Sequence, residues 1–200
     1  MKSSLRLLAV LAPIAVMLTG CAGNDPERDM LLSFVQNYLT GTHEKVSVSQ
    51  AAGVPYASLG LEFGSGPQVL LVLGMGRGGE RDWYAGEAIF VRTQAGRVLR
   101  TAGFPNDLGG ISLAPGVPGQ ANEIAYTVDL PDMAVFGAAA QCMRTQAGDE
   151  TLRILETNIA TRHIVERCEV PAIDWKFNND YWVDPADGYV WRTQIGRAHV

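Results

Sequence analysis

From Lys45 to Gln194 the chain is written in strand-length apolar runs, cut apart at short intervals by glycine, proline, asparagine and aspartate. That punctuation constrains the fold more than any other feature, because no run has the length and 3.6-residue spacing that a buried helix between parallel strands requires. Residues 46–48 alternate, and so do 56–63 through Leu59, Leu61 and Phe63, while 69–73 is unbroken Val-Leu-Leu-Val-Leu and reads as a central strand. Residues 88–93 and 97–101 flank Gln94-Ala95-Gly96, the signature of a hairpin. Residues 104–120 are rich in glycine and proline without periodicity and read as a loop with one helical turn near Asp107-Leu108. Strands resume at 124–130, 141–146, 151–157 and 163–170, with a turn at 147–150, and a last hairpin joins 174–184 to 189–193. The sum is a mainly β chain: an antiparallel curved sheet, either a sandwich or an open half-barrel, with short helical turns.

One helix is expected, near the N-terminus. Asp25 is its N-cap, Pro26 its first residue and Gly41 its stop, and Met30, Leu31, Phe34, Val35, Tyr38 and Leu39 form one apolar stripe for the core. Before it lies an address. Lys2 and Arg6 precede an uncharged apolar run, 7–18, that is shorter than the roughly 20 residues of a membrane span and fits a signal peptide. The run ends in Leu18-Thr19-Gly20-Cys21, which resembles the bacterial lipobox. That resemblance implies cleavage after residue 20 and a lipid on Cys21; an ordinary signal peptidase site with a plain thiol is the alternative. Several acyl chains on one residue hold a protein on a bilayer stably. Ala22, in place of an aspartate, implies sorting to the outer membrane. The expected organisation is therefore a signal at 1–20 and one β-rich periplasmic domain at 21–194. The hexapeptide at 195–200, Ile-Gly-Arg-Ala-His-Val, matches the translation of a sequencing adapter and is expected to be non-native.

Charge narrows the partners. Sixteen basic residues less Lys2 and Arg6 leave 14 against 21 acidic, a net −7 with no basic cluster. Nucleic-acid binding is excluded on that footprint, and attachment to anionic lipid falls to Cys21. In an oxidising compartment Cys142 and Cys168 read as a disulfide, with two buried thiols as the alternative.

Chemistry is sparse. Gly74-Met75-Gly76-Arg77-Gly78-Gly79 fits G-x-G-x-x-G, but residues 80–86 lead into a strand where a dinucleotide site needs a helix, so a hairpin loop is expected. No nucleophile motif is present, and neither His43 nor His163 has a second histidine or a cysteine at ligand spacing, so no cofactor and no metal are expected. The densest aromatic and polar stretch runs from Asp174 to Trp191. Its alternation puts Trp175, Phe177, Asn179, Tyr181 and Val183 on one face, which suits core packing first. Contact with a glycan or a partner through Trp175, Asn178, Tyr181, Trp182, Asp184 and Trp191 is the second reading. A glycosidase pair drawn from Asp174, Asp180 and Asp184 is the third.

Trp83, the segment Gly96-Arg97-Val98-Leu99-Arg100-Thr101-Ala102-Gly103-Phe104 with Asp107-Leu108, then Trp175, Asn178, Tyr181-Trp182-Val183-Asp184, Gly188 and Val190-Trp191-Arg192-Thr193-Gln194 together resemble the YjbF/GfcB family of group 4 capsule and exopolysaccharide lipoproteins. The Tyr-Trp-Val-Asp hairpin is the most specific part, and the lipobox and cysteine pair agree. The resemblance implies an outer-membrane lipoprotein with a β-rich fold, encoded with polysaccharide export genes and without established enzymatic activity. It implies no catalytic residue. The expected function is non-catalytic assistance in export or assembly of a capsule or extracellular polysaccharide, with polysaccharide or export proteins as partners. A carrier enclosing a lipid or lipid-linked sugar is the alternative.

Overall fold

The computed structural model describes residues 45–113 and 122–196. The lipobox, Cys21 and the amphipathic stretch at 25–41 lie outside those residues, as do 197–200. Two curled antiparallel sheets carry the described chain. The first has strands β1 (Ser58–Glu62), β2 (Gln68–Arg77), β3 (Glu80–Ala85), β4 (Ile89–Gln94) and β5 (Arg97–Ala102), in that order across the sheet. The second runs β6 (Gly110–Leu113), β7 (Glu123–Leu130), β8 (Val135–Ile154), β9 (Thr157–Val170), β10 (Trp175–Val183) and β11 (Val190–Ile195), again in chain order. The mainly β, half-barrel reading of the sequence holds. Among the described residues no helix is long and apolar enough to cross a membrane.

Each sheet has its own apolar cluster. Leu71, Trp83, Ile89 and Val91 centre the first, with Leu59, Leu61, Val98 and Phe104 around them. Tyr126, Val128, Ala138, Ala140, Cys142, Cys168, Val170 and Phe177 centre the second. Cys142 and Cys168 face each other directly across β8 and β9 and form a disulfide. The sheets meet where Arg97 of β5 reaches Glu166 of β9, and where the Thr193 hydroxyl donates to the Gly96 carbonyl at 2.7 Å.

Four local expectations are corrected. Residues 46–48 are not a strand: Ser47 caps a helical turn, α1 (Val48–Ala52), through a capping box with Gln50. The expected loop at 104–120 contains β6, paired to β7. The two strands expected at 141–146 and 151–157 are one, β8, because Ala147-Gly148 makes a bulge opposite β9 and not a turn. The Gly74–Gly79 loop is shorter than expected, since β2 continues to Arg77 and only Gly78 and Gly79 turn the chain.

Two connections in the second sheet repeat one design. Pro131–Met133 and Pro171–Ile173 are single 3₁₀ turns, each followed by a non-glycine residue in the left-handed region, Ala134 and Asp174. In both, proline sets the entry φ and the next strand begins at once.

Candidate functional site

The β9–β10–β11 register places the predicted contact residues in separate environments. Alternation along β10 sends Trp175, Phe177, Asn179 and Tyr181 inward, as expected for core packing. Trp175 stacks on Phe177 at 4.3 Å between ring centroids and packs against the second cluster. Tyr181 is buried.

Trp182 points the other way and is nevertheless 6% exposed. Its cross-strand neighbours explain this: His163 of β9 stacks on it at 4.7 Å and 2° between ring planes, and the Arg192 guanidinium of β11 lies 4.6 Å from its centroid. Its indole N–H donates to Glu150 Oε2 at 2.6 Å, and His163 Nε2 meets Asp180 Oδ1 at 2.7 Å. The ring is thus enclosed by its own sheet.

Asn178 is exposed, and its carbonyl accepts from the Gly196 N–H at 2.6 Å. At the far end of the hairpin Asp184 accepts from the Ala186 N–H at 2.9 Å and from the Trp191 indole at 3.2 Å; these bonds, the backbone one foremost, hold its carboxyl below the usual range. Trp191 and Tyr189 meet edge to face at 4.8 Å and stand 40% and 46% exposed, so this end carries the free aromatic surface.

The three aspartates do not converge. Asp174 precedes β10 and Asp180 lies six residues further along, about 20 Å at strand rise. Asp184 lies about another 13 Å on by the same measure. A glycosidase pair needs a separation of about 5 to 10 Å. The glycine-rich segment likewise leads from β2 into β3, with no helix N-terminus to receive a phosphate.

A second site, not anticipated from the sequence, lies between the sheets. Arg97 Nη1 and Nη2 donate to Glu166 Oε1 and Oε2 at 2.8 and 2.5 Å, a bidentate pair with both partners buried. Asn179 Nδ2 donates to Oε1 at 3.2 Å, and Arg144 Nη2 to Oε2 at 3.4 Å. The rings of Tyr126 and Tyr181 lie 5.2 and 5.5 Å from the Arg97 guanidinium carbon. Burial raises the Glu166 carboxyl, but the bonds and charges of Arg97, with Asn179 and Arg144, outweigh it and hold the group below its ordinary value. Burial pushes the Tyr181 hydroxyl up to about 12 against the opposing charge of Arg97. The Tyr126 hydroxyl is raised for the same reason and donates to Cys168 Sγ at 3.4 Å. Cys142, Glu166 and Cys168 cluster closely enough for a metal, but the two sulfurs are bonded to each other and offer no thiolate. One signal was available in the sequence: Glu166 shares the alternation of Ile164, Cys168 and Val170, which puts a carboxylate in register with the core.

Residues 28–195 match the model of the family described as group 4 capsule polysaccharide lipoprotein GfcB, YjbF. The chain belongs to this family. It is 24% identical over 190 residues to the uncharacterised lipoprotein GfcB of Escherichia coli (strain K12), covering 90% of this chain and 87% of that one. The crystal structure of the hypothetical lipoprotein YmcC from Escherichia coli (K12) shares the fold, with a TM-score of 0.58 at 22% identity over 84% of this chain and 90% of that chain.

Proposed function

We propose that this GfcB/YjbF-family lipoprotein is held at the outer membrane by lipid on Cys21, with its β-rich domain, residues 21–194, in the periplasm. There it assists export or assembly of a capsule or extracellular polysaccharide without catalysing a reaction. The observation that carries this reading is the match of residues 28–195 to a family described by capsule polysaccharide and lipoprotein. The lipobox ahead of that match supports the anchor, and the wide spacing of Asp174, Asp180 and Asp184 supports a non-catalytic role. Contact with the glycan or an export partner falls to the open end of the β10–β11 hairpin, around Trp191, Tyr189 and Asp184, where aromatic faces are free to stack on sugar rings.

Deleting the gene in its native strain should reduce surface polysaccharide; unchanged capsule and exopolysaccharide would sink the proposal. Cys21→Ala should leave a folded domain that no longer sediments with outer membranes, and its continued presence there would refute the anchor.

A further inference from the structure

The centre between the sheets carries more positive than negative charge and more hydrogen-bonding capacity than the protein uses. Among the described residues, Arg97 and Arg144 face Glu166 alone, which leaves one positive charge over. Among the described residues, three buried atoms there lack a partner in good hydrogen-bond geometry: Arg144 Nε, Asn179 Oδ1 and the Tyr181 hydroxyl, beside which the Asn179 side chain lies. Asn179 is 3% and Tyr181 5% exposed, so bulk solvent does not satisfy them. Their placement follows from register: Arg144, Glu166 and Asn179 lie side by side across β8, β9 and β10, and Tyr181 is the next inward residue along β10. The Arg144 side chain is 39% exposed while that of Glu166 is 0%, so Arg144 connects the centre to solvent.

Arg144 Nε is a donor, Asn179 Oδ1 an acceptor, and the Tyr181 hydroxyl can act as either. Their natural complement is an oxyanion with a hydroxyl beside it: the anion takes the Arg144 and Tyr181 hydrogens and the surplus charge, and the hydroxyl donates to Asn179 Oδ1. We propose that this centre is a binding site for the carboxylate end of an acidic sugar, entering beside Arg144. The inference deepens the polysaccharide reading by naming a substrate class, and it rests on that reading for its biological meaning alone.

Isothermal titration of the full lipidated chain in detergent tests it, with glucuronate, glucose and inorganic phosphate as probes. Glucuronate should bind saturably at one site and glucose should not. Arg144→Gln should weaken glucuronate at least about tenfold, the usual loss for a charge-assisted bond. Tyr181→Phe should weaken it severalfold without lowering the melting temperature of the free protein, because a buried hydroxyl without a well-formed hydrogen bond costs folding free energy that phenylalanine does not. Lys176→Gln, on the surface beside Glu169, should change nothing. Absence of glucuronate binding, equal binding of glucose, binding of phosphate alone, or an unaffected Arg144→Gln would each overturn the site. A deletion strain that lacks capsule while the purified protein ignores glucuronate would overturn this inference and leave the export reading standing.

Discussion

Removing a single partner from the Glu166 centre leaves a buried charge without compensation. Glu166→Gln should therefore cost about 3 to 5 kcal/mol of stability, read from urea unfolding, whereas breaking the exposed Lys176–Glu169 pair should cost under about 1 kcal/mol. The same centre sets a pH window. Glu166 ionises more readily in the folded chain than in the unfolded one, so its contribution is complete above the ordinary carboxylate value and is lost as pH falls through its lowered folded value. Tyr181 does the reverse: raised from 10.0 to about 12, it contributes fully below pH 10 and loses that contribution as the unfolded state ionises between 10 and 12. Chemical denaturation across pH should show both limbs, and Tyr181→Phe should flatten the alkaline one. Individual residues were legible in the sequence only where alternation applied. It placed Tyr181 inside correctly, but the enclosure of Trp182 depends on His163 and Arg192, brought beside it by two different strand pairings. No pattern along one strand contains that.

Strands were more legible than their boundaries. The runs at 69–73, 124–130 and 163–170 were found because apolar spacing is local, and the hairpin through Ala95-Gly96 because turn residues are. Three signals misled for physical reasons. Val46-Ser47-Val48 alternates, yet Ser47 with Gln50 satisfies the free N–H groups of a helix start. Gly148 reads as a turn residue, yet with φ at 144° it supports a bulge inside a continuous strand. The glycine-rich stretch around β6 has no apolar periodicity, and its pairing comes from β7. Turn glycines can be tested against one another. A Cβ on Gly96, at φ +78°, would collide with Val190 of the other sheet, while one on Gly188, also at +78°, meets nothing within 4 Å. Gly188→Ala should cost about 1 kcal/mol from backbone strain, and Gly96→Ala clearly more, by thermal unfolding. The disulfide links two strands across 26 residues, so Cys142→Ser/Cys168→Ser should lower stability by about 3 to 4 kcal/mol on the chain-entropy model.

At the scale of the molecule, every described strand forms its backbone ladders only with its neighbours in the chain. Pairing therefore never waits for a distant segment, which favours rapid formation of each sheet. The exceptions are the contacts between the sheets: Arg97 with Glu166, 69 residues apart, and the Thr193 hydroxyl with the Gly96 carbonyl, 97 residues apart. A chain delivered N-terminus first can complete β1 to β5 before β9 arrives, and until then Arg97 is a cation without its carboxylate. Docking of the two sheets around that pair then becomes the last event of folding. Glu166→Gln should accordingly accelerate unfolding far more than it slows refolding in stopped-flow traces, with most of the lost stability appearing in the unfolding limb. The meander that makes each sheet quick to form leaves the joint between them as the step that decides how long the native state survives.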